Sequence, residues 1–314
     1  MSRLADLTVQ QLQCFVAVAE EQQFTRAADR LHVAQPSVSF QIGRMEAVVG
    51  ARLFHRGRGP SALTDAGVAL LPLARRVLAD LGQILTRAAD LHGLRTGHVS
   101  IGATPSLASA LLPSLLSRFH RTYPGITLEV TERDSLQLAE GLVDGTLDLA
   151  VAIFPVHHPE LEHIALAAEE LVAVVDEGHA LAARSSIRMA DLLGVPMVMF
   201  HEGYELRTMT LDAFEAAGVA PTISVGGAEV GSVLSLVAAG LGAAIVPSII
   251  IGDAPGVHVL RIVRPALKRQ IGLVRHSTRS LSLAATAMCV EIDAHLAEAG
   301  WPGTTVPGVR LAPR

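Results

Sequence analysis

The first fifty residues alternate apolar and polar positions with the period of an α-helix. A first helix is predicted from Thr8, as its N-cap, to Glu20, because apolar residues recur there every three or four positions. A second, shorter helix is predicted to begin with Thr25 as its cap. A third begins near Gln35 and ends at Gly50. Pro36 is tolerated at its start because the first helical turn leaves N–H groups unpaired. These patterns predict a small helical domain.

The third helix has an apolar stripe and a face of different character. The stripe consists of Val38, Ile42, Met45 and Val49. Away from it lie Gln35, Ser37, Ser39, Phe40 and Arg44. Polar side chains near a helix N-terminus can reach base edges and phosphates in the major groove of DNA. The spacing is equally typical of a small core whose polar residues simply face solvent.

A hairpin and a long helix are predicted next. Residues 52–56 and 61–63 fit two short strands around the turn Gly57–Pro60, which together form a wing with Arg58 near its tip. Apolar residues then recur at steps of three and four, as in a helix that pairs with a partner. They are Leu70, Leu73, Val77, Leu81, Ile84, Ala88 and Leu91. Pro72 should bend this helix or delay its start, and residues 94–97 fit a hinge.

From His98 onward, short apolar runs alternate with helical stretches, which predicts an α/β fold with mostly parallel sheets. About 200 residues are enough for two lobes. The predicted strands are residues 99–103, 127–131, 149–154, 171–175, 197–200, 243–246 and 271–274. The tail from Trp301 is rich in glycine and proline and is expected to lack structure.

Charge is unevenly distributed along the chain. Residues 1–63 carry seven arginines against five acidic residues, a net charge of +2, whereas the whole chain carries −5. A mildly basic head on an acidic body favours an anionic partner at the head. No apolar run reaches the roughly 18 residues that a membrane span needs. The opening residues lack the apolar core of a secretory signal, which predicts a cytoplasmic protein, and two distant cysteines exclude a disulfide framework.

Beyond these patterns, the sequence resembles a known family. The stretch LTVQQLQCFVAVAEEQQFTRAADRLHVAQPSVSFQIGRMEAVVGARLFHRGRGPSALTDAG closely resembles the DNA-binding domain of LysR-type transcriptional regulators. IGATPSLASALLPSLLSRFHRTYPGITLEV, GLVDGTLDLAVAI and LVAAGLGAAIVP resemble the effector domain of the same family, so the resemblance spans nearly the whole chain.

The resemblance implies a fold, an assembly and a function. It implies a winged helix-turn-helix DNA-binding domain (residues 1–63), a linker helix for dimerisation (64–92), a two-lobed effector domain of the type 2 periplasmic-binding-protein kind (93–300) and a tail (301–314). The implied protein is a homodimer or homotetramer that binds double-stranded promoter DNA. A small molecule bound between the lobes would control it, and an organic anion is one candidate.

Site residues follow from the same resemblance. Those implied to contact DNA are Gln35, Pro36, Ser37, Ser39, Phe40 and Arg44, with Arg56 and Arg58 in the wing. Phe40 departs from the arginine of many relatives, so an apolar contact with a thymine methyl group would replace a charged one. Those implied to contact the effector are Thr104, Ser106 and Ser135 in the first lobe and Phe200, His201, Tyr204 and Glu229 in the second.

Two other classes of function share features with this sequence. A solute-binding protein would share the two-lobed body but not the DNA-binding head. An enzyme would need a nucleophile motif or a phosphate-binding loop, and neither GxSxG nor a glycine-rich loop ending in Gly-Lys-Ser/Thr occurs. His157, His158 and His163 lie beside prolines without a matching carboxylate cluster. We therefore predict no catalytic residues, no cofactor and no metal.

Overall fold

A computed structural model describes residues 6–55, 60–90, 96–155, 158–252, 254–299 and 310–311. It divides into two compact units. The first comprises residues 1–92 with the short segment 143–146, and the second comprises residues 93–142 and 147–314. No helix in the described ranges is both long and apolar enough to cross a membrane.

Three helices form the core of the first unit: α1 (Val9–Glu21), α2 (Phe24–Arg30) and α3 (Gln35–Val49). Thr8 caps α1 as predicted, and its hydroxyl and the Gln11 side chain each accept a hydrogen bond from the other residue's backbone N–H. Thr25 is not the cap of α2, because that helix already begins at Phe24. Gly50 ends α3 at φ +80°, a conformation that glycine adopts without strain.

The two arms of the predicted wing are joined by a bridge between residues that the structure describes. Phe54 and Leu63 form an isolated antiparallel bridge, and residues 56–59 lie outside the described part of the chain. The Glu46 carboxylate on α3 accepts a hydrogen bond from the backbone N–H of Leu53, which anchors the first arm. Gly67 lets the next helix pass close to this arm, since a Cβ at that position would lie 2.3 Å from the carbonyl oxygen of Leu53.

Helix α4 (Asp65–Asp90) is the long helix of the first unit. Pro72 lies inside it, so the proline does not delay its start. Leu70 is partly buried against the core of its own unit, contrary to its predicted place in a seam between two chains. Leu73, Val77 and Ile84 remain 46–64% exposed. Residues 94 and 95 of the predicted hinge lie outside the described part of the chain, and Gly97 already begins a strand.

The second unit contains two lobes, which we call lobe I and lobe II. Lobe I begins with β1 (Gly97–Ala103), α5 (Pro105–Ala110), α6 (Leu112–Thr122), β2 (Ile126–Glu132), α7 (Ser135–Asp144) and β3 (Leu149–Phe154). Strand β1 pairs in parallel with both β2 and β3. The core of lobe I includes Val99, Ile101, Leu115, Phe119 and Val151.

Lobe II is formed by the central part of the chain. It contains β5 (Ser186–Ile187), β6 (Pro196–Phe200), α8 (Glu205–Ala216), β7 (Thr222–Ala228), α9 (Val230–Ala238), β8 (Ala244–Pro247) and β9 (Val257–Ile262). Short 3-10 helices span Ala180–Ala183, Met189–Leu192 and Ser248–Ile250. Strands β6 and β7 pair in parallel and form a separate two-stranded sheet.

Two strands connect the lobes. Strand β4 (Leu161–Asp176) pairs with β10 (Lys268–His276) over its first half and with β8 and β9 over its second half, always antiparallel. Strand β10 also pairs antiparallel with β3, and α10 (Leu283–Ala299) then packs against lobe I. The prediction of mostly parallel sheets is therefore wrong, because these antiparallel crossover strands hold the sheets together. Within the tail, Arg310–Leu311 form β11, antiparallel to β4.

Candidate DNA-binding and effector sites

Helix α3 presents the predicted DNA-contacting residues on one surface. Its apolar stripe, Val38, Ile42 and Met45, is buried against α1 and α2. This packing leaves the opposite face exposed. Exposed on it are Gln35, Pro36, Ser37, Ser39, Phe40 and Arg44. We call this set the recognition face.

The polar side chains of the recognition face are partly pre-arranged. The amide Nε2 of Gln35 donates a hydrogen bond to the Ser39 hydroxyl over 2.9 Å, one helical turn away. This contact fixes the direction of the Gln35 amide along the helix. Arg56 and Arg58, the predicted wing contacts, lie outside the described residues.

Lobe I contributes three hydroxyl groups where its strands end. Thr104 and Ser106 lie at the start of α5, immediately after β1, and Ser135 begins α7 after β2. All three residues are almost completely buried. Ser135 Oγ accepts a hydrogen bond from the backbone N–H of Ile153, whereas Thr104 Oγ1 is buried with no partner among the described residues. Thr104 therefore keeps an unused donor and acceptor.

Lobe II contributes Tyr204, which immediately precedes α8. Its side chain is buried, and its hydroxyl has no hydrogen-bond partner among the described residues. Burial raises the pKa of Tyr204, while neighbouring Ser106 and Arg269 act in the opposite direction. The phenol thus stays protonated at neutral pH, and it lies close to Ser106 of lobe I.

The other predicted residues of lobe II surround Tyr204. Phe200 lies in the core, edge-on to the Tyr204 ring with 5.3 Å between centroids, so it supports Tyr204 from behind. The His201 ring stacks on the Tyr204 ring, also with 5.3 Å between centroids. Its Nε2 lies 3.8 Å from a carboxylate oxygen of Glu229, which is exposed. The structure therefore brings these four residues together. Phe200, however, is buried in the core and packs against Tyr204, so it does not line a surface.

A buried ion pair lies beneath this site and was not foreseen from the sequence. Arg269 Nε donates to Glu169 over 2.7 Å, and Arg269 Nη1 donates to the Ser106 hydroxyl over 3.0 Å. The second carboxylate oxygen of Glu169 accepts from Ser248 Oγ and from the backbone N–H of Ile249. Because Glu169 neutralises Arg269, the pair fixes Ser106 without leaving an unpaired charge.

Glu205 is a second residue that the sequence did not single out. It begins α8 directly after Tyr204. Burial raises the pKa of Glu205, while hydrogen bonding to Ser135 opposes the change and the nearby Asp134 reinforces it. An acidic residue in the first turn of a helix is common, so only its adjacency to Tyr204 could have singled out Glu205.

Two protein-family models match the chain, one over the N-terminal unit and one over most of the second unit. Residues 9–68 match the model described as bacterial regulatory helix-turn-helix protein, lysR family. Residues 92–297 match the LysR substrate binding domain. The chain belongs to the LysR family of transcriptional regulators. It binds DNA through its N-terminal unit and a small-molecule effector through its substrate-binding domain.

Relatives of this LysR-family regulator align over most of its length. It is 31% identical over 292 residues to an uncharacterised HTH-type transcriptional regulator, YybE of Bacillus subtilis (strain 168), covering 92% of this chain and 99% of the relative. It is 29% identical over 271 residues to the dual regulator OxyR of Escherichia coli (strain K12), covering 85% and 89%. These relatives are regulators rather than enzymes.

Solved structures agree with the family assignment. A full-length OxyR variant from Pseudomonas aeruginosa superposes with a TM-score of 0.70 at 25% identity, covering 92% of this chain and 95% of its own. CbnR, a LysR family transcriptional regulator, gives a TM-score of 0.67 at 27% identity, with 92% and 99% covered. CbnR in complex with its target DNA gives 0.66.

No group of three or more histidine, cysteine, aspartate or glutamate residues within the described ranges is arranged to hold a metal ion. His158 instead accepts a hydrogen bond from the backbone N–H of Glu160, and the His163 ring packs against Phe154. His157 lies outside the described residues.

Proposed function

We propose that the recognition face reads the operator of this LysR-family regulator. Its exposed Gln35, Ser39 and Arg44 side chains offer the donors and acceptors that base edges and phosphates require. Arg56 and Arg58 would contact the neighbouring minor groove from the wing. The DNA-binding domain then spans residues 1–63, the linker helix residues 64–92 and the effector domain residues 93–300, in a protein acting in the cytoplasm.

The effector binds where the lobes meet, between Thr104, Ser106 and Ser135 on one side and Tyr204 on the other. This placement is supported by the buried hydroxyls of Thr104 and Tyr204, each of which has no hydrogen-bond partner among the described residues. Leaving a buried hydroxyl unpaired costs about 1–3 kcal/mol, which a ligand or water with matching polar groups would recover. His201 and Glu229 form the exposed rim.

The switch is a change in how two chains present their recognition faces. Leu73, Val77 and Ile84 form an exposed apolar line along α4, which a second copy of the chain would cover. A ligand can alter DNA binding only if it prefers one arrangement of lobes and domains over another. In this proposal the effector acts as a ligand and not as a substrate.

The DNA half of the proposal is tested by replacing Gln35 and Ser39 separately with alanine. Each substitution should weaken binding to the selected operator by about 1–3 kcal/mol while leaving binding to unrelated DNA unchanged. Gel-shift titrations at fixed salt measure both. Gln137→Ala, which changes an exposed glutamine of the effector domain, is the matched control. Operator affinities equal to that of the unmodified protein would show that α3 does not read the bases.

The effector half is tested by Ser106→Ala together with a thermal-shift screen of small organic acids and amines. A compound present at about 100 times its dissociation constant adds roughly 2.7 kcal/mol of stability. For the compound found, Ser106→Ala should weaken binding by about 0.5–1.5 kcal/mol. Equal affinity in both proteins would show that Ser106 only holds Arg269.

A further inference from the structure

One residue of the recognition face is chemically unlike its neighbours. The Phe40 side chain is 61% exposed, whereas the apolar stripe of the same helix is buried. Single exposed apolar residues are common on protein surfaces. Phe40 differs because it lies within the recognition face, the surface proposed above to contact DNA.

Several neighbours of Phe40 on α3 are small. Pro36, Gly43 and Ala47 lie one or two turns away on the same side of α3, and all three are exposed. A Cβ built at Gly43 would meet no atom within 4 Å. With small residues on either side, a DNA groove can come close to the helix backbone and enclose the ring.

Polar groups flank the ring on both sides. The hydrogen-bonded pair Gln35–Ser39 lies along one side, and Arg44 follows one turn later on the other. Phe40 therefore lies between groups that suit base edges and a phosphate. Among the groups that base pairs display in the major groove, the apolar one is the C5-methyl group of thymine.

We propose that Phe40 is a specificity-determining residue that reads a pyrimidine C5-methyl group in the operator. This inference rests on the proposed role of the recognition face. Because the ring contacts the methyl group and has no polar atom, it does not distinguish thymine from 5-methylcytosine by hydrogen bonding. Binding at that base pair therefore depends on the methyl group itself, including one added to cytosine by methylation.

The experiment begins with an operator selected by the unmodified protein from random duplexes. Each thymine is then replaced singly by deoxyuridine, which removes only the methyl group. The unmodified protein should lose about 3- to 5-fold in affinity at one thymine of each half-site, as expected for one methyl group withdrawn from an apolar contact. At the same position, 5-methylcytosine should bind about 3- to 5-fold more tightly than cytosine.

Two variants decide whether Phe40 causes this preference. Phe40→Ala should bind the thymine and deoxyuridine duplexes equally, and its exposed position means that folding should be unaffected. Arg44→Ala should weaken binding to both duplexes and keep their ratio. Failure to enrich any sequence would refute sequence-specific DNA binding itself. Indifference to deoxyuridine at every position, or an unchanged preference in Phe40→Ala, would overturn only the role of Phe40. A Phe40→Ala variant that differs from the unmodified protein only in its oligomeric mass would also overturn the role of Phe40.

Discussion

The guanidinium of Arg269 lies 2.6 Å from the carboxylate of Glu169, and both side chains are almost completely withdrawn from solvent. The two residues face each other directly across the crossover strands β10 and β4. Replacing Arg269 with methionine would leave a buried carboxylate without its counter-charge. We expect a loss of about 3–5 kcal/mol in the free energy of unfolding, measured by urea denaturation.

The same pair of strands supplies a matched control. Arg275 and Glu162 also face each other across β10 and β4, but they are 33% and 44% exposed. Arg275→Met should cost less than about 1 kcal/mol, because water screens this pair. The double variant Glu169→Gln/Arg269→Met should recover much of the free energy of unfolding that Arg269→Met loses, since neither charge remains. Equal costs for the two single arginine variants would contradict the burial described here.

Removing the Tyr204 hydroxyl should not destabilise the ligand-free protein. The hydroxyl is buried and has no hydrogen-bond partner in the part of the chain that the structure describes. Tyr204→Phe therefore removes an unsatisfied polar group and should raise the free energy of unfolding by up to about 1 kcal/mol. Tyr123→Phe, at the other tyrosine of the chain, serves as the control and should change stability little. A decrease of more than about 1 kcal/mol in Tyr204→Phe would mean that the hydroxyl has a partner, and would remove the main support for the effector site.

A charge placed on the exposed line of α4 should disrupt assembly. Leu73→Glu combined with Val77→Glu would put two carboxylates into an apolar contact between copies, and light scattering should then report the mass of one protomer at micromolar concentration. Val68→Glu is the control, because Val68 is 59% exposed on a different side of the same helix. An unmodified protein that is already monomeric would refute the role proposed for this line.

The Cys289 thiol should react slowly. Burial raises the pKa of Cys289 to about 11, so at neutral pH its reactive thiolate is on the order of a hundred-fold scarcer than in an ordinary thiol. Alkylation by iodoacetamide should be slow at pH 7.5 and accelerate as pH approaches 11, as followed by mass spectrometry with a small free thiol as reference. Burial also raises the pKa of Cys14.

A related expectation concerns peroxide. With both thiols of this chain protonated, moderate peroxide should leave its operator affinity unchanged. A peroxide-dependent gel shift, or rapid alkylation at pH 7.5, would contradict the pKa shifts on which this expectation rests.

The pattern of apolar residues predicted an element correctly where that single segment contains the residues that become buried. Strand β3 was predicted over its full length, Leu149–Phe154, because all six residues are apolar. The exposed face of α3 followed from the positions of Val38, Ile42 and Met45. The first half of β4 was missed, since charged residues such as Glu162 and Glu169 interrupt its apolar pattern.

The site could be predicted only in part, because its contacts join distant segments. Thr104, Ser106 and Ser135 follow strands, a position that the sequence reveals. The partners of Ser106 do not follow from spacing: Arg269 comes 163 residues later and is held by a glutamate 100 residues before it. Only the pairing of β10 with β4 brings these residues together.

The two crossover strands also impose an order on biosynthesis. Lobe II is encoded as one uninterrupted segment between β4 and β10, whereas lobe I needs β10 and α10, which follow it in the chain. On the ribosome, where chains emerge from the N-terminus, lobe II is complete while lobe I still lacks the strand that pairs with β3. A nascent chain that has emerged from the ribosome as far as residue 267 would therefore expose the edge of β3 together with the apolar surface that α10 normally covers. Chaperones should bind it most strongly at that stage.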